Sequence, residues 1–257
     1  MIEEITAVFK HFQMWSLLGW YDVKHRYRRS LIGPFWITIS TGVMVAMIGM
    51  MFSKIFKTDV AEFLPHFAVG QIIWLLISTQ INDACVTFVQ YQSVIKQVPV
   101  PLTVHVLRRL WCNFILFLHN FIIVIIVLVL FGRERPLPSW HFIPGLALVL
   151  MLLFFLSVIL AIVCARFRDV TQIVGVFLQL AYFFTPIFWM KKVLSGKYLL
   201  VTELNPCYHM IEVVRAPLLG SAQEGLHGIF IAACIVVSAV MAFGLMKKLR
   251  DRVAYWL

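Results

Sequence analysis

The sequence predicts an all-α integral membrane protein with six transmembrane helices, an N-terminal amphipathic interface helix, and short external re-entrant helices between spans five and six. Of its 257 residues, 61% are hydrophobic and 13% are charged, and the mean hydropathy is +0.91. This composition is typical of membrane proteins. Six long runs carry no charged side chain, and about 20 apolar helical residues cross a bilayer core. The alternative, buried helices of a soluble protein, is disfavoured by the length of these runs.

The first run, residues 34–53, follows a basic cluster that marks where the chain enters the membrane. The cluster consists of Lys24, Arg26, Arg28 and Arg29. Cytoplasmic flanks of membrane spans collect Lys and Arg. Pro34 suits the first turn of a helix, where its missing N–H is not needed. The same cationic row is a candidate contact for the phosphate of a lipid-linked molecule at the inner leaflet, with plain topology and lipid headgroup contact as the alternative.

The segment before this cluster is predicted to form an amphipathic helix that reaches about Trp20 and lies along the membrane surface. Its apolar residues recur at helical spacing, namely Ile2, Ile5, Phe9, Phe12 and Trp15, and polar side chains occupy the other face. A solvent-exposed helix packed on a partner is the competing interpretation. The segment lacks the pattern of a cleaved signal peptide, so we expect it to be retained.

The remaining runs predict five further spans and one external helical segment. The spans are predicted at residues 63–82, 110–131, 141–165, 171–190 and 228–246. Pro99 and Pro101 interrupt the polar and basic stretch between the second and third spans. In the external segment 191–227, Asn205 and Pro206 form a helix start. We expect one or two short helices there that dip into the outer leaflet, and an interfacial helix with no transport role is the alternative.

The distribution of charge predicts the orientation of the six spans. The face that holds both termini carries 14 of the 22 Lys and Arg residues, whereas acidic residues are divided equally between the faces. The positive-inside rule therefore places both termini in the cytoplasm. We expect a single membrane domain over 1–257, with a cytoplasmic interface helix and basic cluster at 1–30, a six-span core at 31–246 and a cytoplasmic tail at 247–257. Because the basic residues lie between apolar runs, they do not indicate nucleic-acid binding.

The sequence lacks the motifs of catalysis and of self-powered transport. It contains no GxxxxGK[ST] phosphate loop, GxSxG, HExxH or dinucleotide-binding GxGxxG. The five cysteines show no metal-binding spacing, so we expect no metal or cofactor in this chain. Ion-coupled transporters need ionisable groups at membrane depth, and only His119 lies deep within an apolar run. We expect a chain that is not an enzyme and whose energy, if it transports, comes from another subunit.

Five landmarks in order along the chain carry a resemblance to a known family. They are RYRRSLIGPFW (26–36), KQVPVPL (96–102), ARFRDV (165–170), FFTPIFW (183–189) and LNP (204–206). The chain resembles the permease subunits of ABC-2 type exporters that move O-antigen, capsule or teichoic acid polysaccharides across the bacterial inner membrane. The resemblance covers essentially the whole length. It implies a homodimer of twelve spans with a central channel, and a separate ATPase subunit that holds ATP and Mg²⁺ on the cytoplasmic face.

Aromatic side chains are candidates for lining such a channel, because a flat ring can stack on the C–H face of a sugar without fixing its position. The candidates are Trp36, Trp74, Phe177, Tyr182, Phe183, Phe184, Phe188 and Trp189. Thr185 and Pro186 predict a local opening of the fifth span near the outer exit. Interface anchoring and ordinary helix packing are the alternative roles for these rings.

Short cytoplasmic elements are candidates for contact with the ATPase. A tight turn between two spans cannot move without moving both, so the turn at residues 165–170 is a candidate for coupling. The candidate residues are Arg166, Arg168 and Asp169 in this turn, with Lys96 and Pro99 in the preceding cytoplasmic loop.

Two other functions remain open from the sequence. The same architecture serves an exporter of a drug or a lipid. A membrane enzyme acting on polyprenyl-linked sugars requires carboxylates facing a cavity, and Glu203 and Glu212 are the candidates outside the short polar loops. Their spacing does not indicate paired acid and base groups.

Overall fold

The computed structural model describes residues 10–28, 32–33, 35–98, 100–131, 138–190, 201–221 and 225–257. The described residues are helical, with no strand among them. We label the helices α1 (Phe12–Arg26), α2 (Phe35–Ile55), α3 (Val60–Gln90), α4 (Gln92–Gln97), α5 (Leu102–Phe131), α6 (Phe142–Arg166), α7 (Val170–Phe184), α8 (Pro206–Leu218) and α9 (Gly225–Trp256). The predicted all-α membrane fold is confirmed.

Each of the six predicted spans coincides with a helix. Five of them, α2, α3, α5, α6 and α9, are long and apolar enough to cross a membrane. The helix at the fifth predicted span, α7, has only 15 residues, which correspond to about 22 Å. The prediction extended this span to residue 190, but the helix ends at Phe184 because Pro186 holds the preceding Thr185 in an extended conformation.

Helix α3 occupies the centre of the molecule. It packs against α2, α4, α5, α6, α7 and α8. Most residues of its apolar stretch are buried. Its start is capped by Asp59, whose carboxylate accepts a hydrogen bond from the Ala61 N–H at 3.1 Å. Phe63 and Phe67 stack with their ring centroids 6.1 Å apart and are fully buried. The core of the chain is thus organised around one helix that contacts six others.

Helix α1 packs on α5 and continues past the predicted end at about Trp20 to Arg26. The close approach depends on Gly19, since a Cβ there would lie 2.8 Å from the carbonyl oxygen of Arg108. Leu17 and Trp20 remain exposed. The predicted apolar residues Ile2, Ile5 and Phe9 lie outside the described residues, so the amphipathic face stays a prediction there.

The stretch predicted as a polar loop, residues 90–109, is largely helical. It contains α4, and α5 begins at Leu102 rather than at residue 110. Arg108 and Arg109 therefore lie within a helix that continues into the membrane span. Their charges are tolerated because Arg108 pairs with Asp22 at 2.6 Å and Arg109 with Asp83 at 3.7 Å.

The predicted external helix is present as α8, and its predicted start is confirmed. The Asn205 side chain accepts a hydrogen bond from the Cys207 N–H at 2.9 Å, and Pro206 is the first helical residue. Helix α8 is buried along most of its length and packs against α3, α6 and α9. At Gly145 of α6, a Cβ would lie 2.5 Å from the carbonyl oxygen of Val213. Helix α8 is therefore enclosed by protein. Backbone at membrane depth must be either helical or buried in protein, and the backbone of α8 is both.

Candidate functional site

Tyr182 is the centre of an aromatic cluster between α3 and the end of α7. Its ring centroid lies 5.5 Å from that of Trp74, 5.6 Å from that of Phe183 and 5.7 Å from that of Phe188. The indole N–H of Trp189 donates a hydrogen bond to the carbonyl oxygen of Phe183 at 3.3 Å. Five of the eight predicted channel aromatics are thus brought together.

A groove of about 430 Å³ runs between α3 and α7 beside this cluster. It is lined by Gln71, Trp74, Leu75, Ser78, Asn82, Gly175, Leu178, Gln179, Tyr182 and Phe183. Aromatic rings, amides and a hydroxyl contribute to this lining, and no charged side chain does among the residues that the structure describes. The groove can therefore stack against apolar faces and exchange hydrogen bonds without fixing a charged group.

The polar residues of this groove were not identified from the sequence. Gln71, Ser78 and Asn82 are spaced at i, i+7 and i+11, which places them on one face of α3. The Tyr182 hydroxyl donates a hydrogen bond to the Gln71 side-chain oxygen at 2.7 Å. The signal that was available is the regular recurrence of polar side chains within the otherwise apolar run 63–82.

Three of the predicted channel aromatics lie apart from the cluster. Trp36 is near the start of α2, whereas Phe52 of the same helix contacts Phe188 at 5.8 Å. Trp36 and Phe52 are 16 residues apart in the helix, which corresponds to about 24 Å. Phe177 and Phe184 are 64% and 61% exposed on an outward face of α7. These three rings do not line the groove between α3 and α7.

The C-terminal end of α7 is connected to α8 by a buried arginine. Arg215 of α8 is 2% exposed, and its guanidinium donates to the Pro186 carbonyl oxygen at 2.7 Å and to Nε2 of His66 at 3.1 Å. The Glu212 carboxylate accepts hydrogen bonds from the same guanidinium at 2.9 and 2.5 Å. Arg215 therefore connects α8, the bend after α7 and the first turns of α3.

A second link reinforces this bend. The Asn205 amide donates a hydrogen bond to the Thr185 hydroxyl oxygen at 2.9 Å, and that hydroxyl donates to the Ala181 carbonyl oxygen at 2.7 Å. The predicted opening at Thr185 and Pro186 is thus confirmed, and its freed polar groups are satisfied by α8 and its cap. Because Glu212 is engaged by Arg215, its carboxylate is not free to act as an acid or base in a cavity.

The residues predicted to contact an ATPase lie at the end of the molecule that holds α4 and the last turns of α9. Arg166 ends α6, and its guanidinium lies 5.1 Å from the centre of the Trp256 ring. Arg168, Asp169 and Lys96 are exposed. Ile95 of α4 and Trp256 both pack on one apolar cluster that includes Ala165. Pro99 lies outside the described residues.

The predicted basic row divides between helix and turn. Lys24 and Arg26 belong to the last turn of α1, Arg28 follows that helix, and Arg29 lies outside the described residues. Lys24 and Arg28 are exposed, whereas the guanidinium of Arg26 lies 3.8 Å from the Asp83 carboxylate.

Helix α1 is anchored by a cluster of hydrogen bonds around Asp22. Its carboxylate accepts hydrogen bonds from Arg108 at 2.6 and 2.7 Å and from the Tyr91 hydroxyl at 2.7 Å. Burial raises the pKa of Asp22, but the hydrogen bonds from Arg108 and Tyr91 and the charge of Arg108 outweigh it, so the pKa lies below its usual value. The anchor is therefore fully ionised at neutral pH.

Sequence comparison identifies the family of this chain. The sequence profile of the ABC-2 type transporter family matches residues 13–219. The chain belongs to the ABC-2 type transporter family. This match, which covers well over half of the sequence, confirms the resemblance drawn from the five landmarks. Members of this family are the membrane subunits of transporters, and the chain is a multi-pass membrane protein of that kind.

Curated members of the ABC-2 family with a related sequence are named for O-antigen export. The O-antigen export system permease protein RfbA of Myxococcus xanthus is 25% identical over 224 residues, which cover 84% of each chain. One RfbA of Klebsiella pneumoniae is 21% identical over 238 residues, covering 91% of this chain and 90% of that protein. Another from Klebsiella pneumoniae is 25% identical over 193 residues, covering 74% of each chain.

The ABC-2 match extends from α1 to the end of α8. It therefore includes the groove between α3 and α7, the bend at Pro186, the Arg215 link and the α6–α7 turn. Helix α9 follows the matched region and completes the packing around α6 and α8.

Proposed function

We propose that this chain is the permease subunit of an ATP-powered exporter that moves lipid-linked polysaccharide, of the O-antigen or capsule type, from the cytoplasm across the bacterial inner membrane. The observation that carries the proposal is the groove between α3 and α7, which combines Trp74, Tyr182 and Phe183 with Gln71, Ser78 and Asn82. The relatives named as O-antigen export permeases support the same cargo.

The chemistry of the groove suits a sliding sugar polymer. Aromatic faces contact the C–H faces of sugar rings, and neutral amides and hydroxyls exchange hydrogen bonds with sugar hydroxyls. Charged side chains, which hold a partner more strongly, are absent from the described lining. Trp74, Tyr182, Phe183, Phe188 and Trp189 are the aromatics placed at this groove or its outer end, and Trp36, Phe177 and Phe184 require a second copy to take part in the same channel.

The proposed exporter contains two copies of this chain and an ABC ATPase subunit that binds ATP and Mg²⁺. An outward face of α7 supports the second copy, because Ile173, Phe177 and Leu180 are exposed at helical spacing. The sequence carries no phosphate-binding loop, so ATP hydrolysis is assigned to the partner. Membrane lipids cover the remaining apolar faces.

The proposed orientation places both termini in the cytoplasm, which follows from the charge distribution. In this orientation Arg166, Arg168, Asp169 and Lys96 face the ATPase together with Pro99, and Lys24, Arg26, Arg28 and Arg29 face the inner-leaflet phosphates. The exposure of Lys96, Arg168 and Asp169 supports a docking role, since a docking surface must be accessible.

The experiment that tests the proposal is purification of the chain with its ATPase partner, followed by ATP turnover with and without lipid-linked polysaccharide. We expect stimulation by the glycolipid, and we expect Trp74→Ala and Tyr182→Ala to reduce it by about tenfold, the equivalent of one lost contact of about 1.4 kcal/mol. Ile125→Ala, an exposed position on α5 away from the groove, is the control. A complex that responds to small amphiphiles and ignores the glycolipid would reassign the cargo to a drug or a lipid.

A further inference from the structure

A second, smaller cleft lies on the neighbouring face of α3, and Leu75 lines both this cleft and the aromatic groove. It has a volume of about 120 Å³ and is enclosed by the end of α1 and by α2, α3 and α5. Its polar lining consists of Arg26, Thr41, Thr79, Asn113 and Asn120. Arg26 is the one charged side chain in that lining as far as the structure describes it. We refer to these five residues as the Arg26 cleft.

Asn113 presents an unused acceptor to this cleft. Its amide nitrogen donates to the Gln80 side-chain oxygen at 2.9 Å and to the Asp83 carboxylate at 3.0 Å. Both donors are therefore spent, and the Oδ1 atom is buried without a partner among the described residues. The whole residue is only 2% exposed. Buried acceptors of this kind are rarely left unpaired in native proteins.

Asn120 repeats the pattern deeper in the cleft. It is 7% exposed, and its Oδ1 atom is also buried with no described partner. The two asparagines are seven residues apart in sequence, which is about two helical turns, so the acceptors lie on one face of α5 and about 10 Å apart. Thr41 of α2, which is 8% exposed, lines the same cleft. The interior of the cleft therefore offers acceptors to a ligand that brings hydroxyl donors.

Arg26 supplies the complementary charge where α1 ends. Its side chain is 35% exposed, and its 3.8 Å distance from Asp83 is long for an ion pair. Asp83 is also engaged by Arg109 at 3.7 Å and by Asn113. The guanidinium can consequently turn to an incoming anion while Asp83 keeps two other partners.

We infer that the Arg26 cleft binds the hydroxyl-bearing phosphate headgroup of a membrane lipid, with the phosphate at Arg26 and its hydroxyls bonded to acceptors among Thr41, Asn113 and Asn120. Two lipids share this chemistry, a polyprenyl pyrophosphate carrying a sugar and a phospholipid with a glycerol headgroup. Only the first source rests on the proposed export function.

The test is lipid binding to the purified full-length chain, measured by native mass spectrometry. The probes are polyprenyl pyrophosphate carrying one hexose, phosphatidylglycerol, and phosphatidylmethanol, which has the phosphate charge without a hydroxyl. We expect phosphatidylmethanol to bind about tenfold more weakly than phosphatidylglycerol, as the loss of one hydrogen bond to a buried acceptor predicts. Thr41→Val and Asn120→Leu should abolish this preference, and Arg26→Gln should weaken all three lipids.

Two variants serve as matched controls. Ser238→Ala removes a hydroxyl that bonds only to carbonyls of its own helix α9, and Lys248→Gln removes an exposed charge of α9 outside the cleft. Both should bind all three lipids as the wild type does. Thr41→Val preserves the shape of the side chain, so its effect on the lipid preference is separable from a folding defect.

The outcomes are distinct. Preference for the hexose lipid identifies the transported molecule as the ligand, and equal binding of phosphatidylglycerol identifies a phospholipid. If phosphatidylmethanol binds as well as the hydroxyl-bearing lipids, or if Thr41→Val and Asn120→Leu keep the preference, the cleft holds only water and the inference is wrong. Failure of glycolipid to stimulate ATP turnover overturns the export proposal and leaves a phosphatidylglycerol site intact.

Discussion

Asp22 shows how a single carboxylate fixes the N-terminal helix. Because its folded pKa lies below the usual value, its ionised form stabilises the folded state above the unfolded pKa of 3.8. That stabilisation is lost only as the pH falls through the lower, folded pKa. Between pH 5 and pH 8 the anchor therefore contributes a constant amount.

We predict that Asp22→Asn loosens α1, because Arg108 loses the carboxylate that accepts two of its hydrogen bonds. The free energy of local opening of α1 should fall by about 2 kcal/mol, measured as hydrogen exchange over Phe12–Arg26. The difference from wild type should be the same at pH 8 and pH 5. Lys24→Gln, an exposed change on the same helix, should have no effect, and equal protection in both variants would contradict the anchor.

At the scale of elements, the α6–α7 turn is the shortest connection between two of the apolar helices. Only Phe167, Arg168 and Asp169 separate Arg166 from Val170. The carbonyl of Arg168 accepts a hydrogen bond from the Thr171 N–H at 3.2 Å, and that of Asp169 accepts one from the Gln172 N–H at 3.1 Å. A force applied to these side chains is transmitted to both helices because little backbone lies between them.

We predict that Arg168→Ala and Asp169→Ala uncouple ATP hydrolysis from export. Glycolipid-stimulated turnover by the assembled complex should fall severalfold while basal turnover remains, because docking is weakened and the groove is not touched. The control is Lys54→Ala, which changes an exposed basic residue in the last turn of α2. Normal stimulation and normal export in both turn variants would refute the coupling role of this turn.

At the scale of the whole molecule, α7 is the most weakly enclosed of the membrane helices. Its described contacts are with α3 and, less extensively, with α6, and only Leu178 and Ala181 are buried. At 15 residues the helix is also shorter than the about 20 needed to cross the hydrocarbon core. A helix with these properties is stabilised when another protein surface covers it.

We predict that Phe177 faces a second copy of the chain across the channel. With the five native cysteines replaced by alanine, Phe177→Cys should give a dimer when treated with a flexible bismaleimide in native membranes. Val240→Cys, which is equally exposed on α9 at 67% against 64% for Phe177, should remain monomeric. Cross-linking of both positions, or of the α9 position alone, would place the dimer interface elsewhere.

Features that depend only on neighbouring residues were predictable from the amino-acid sequence. The six apolar runs predicted the six helices because span length is a local property, and Asn205 with Pro206 predicted the start of α8 because a cap involves only adjacent residues. Five of the eight predicted channel aromatics lie at the groove or its end, with Trp74 on α3 and the other four within residues 182–189. Their role in lining a channel stays a prediction. The end of α7 was misplaced because the uncharged run continues to residue 190, although Pro186 ends the helix at Phe184.

Tertiary structure decided the features that join distant residues. Arg108 meets Asp22 across 86 residues, and Arg215 meets His66 across 149. The pairing of Arg108 with Asp22 stabilises a helical start of α5 where the sequence predicted a polar loop. The hydrogen bonds of Arg215 offset the cost of burying its charge in α8. Likewise, Gln71 becomes part of the groove and Asn113 part of the cleft only when α3, α5 and α7 are packed together. Local sequence fixes where a helix can form, but the partner that satisfies a buried polar group depends on which helices meet.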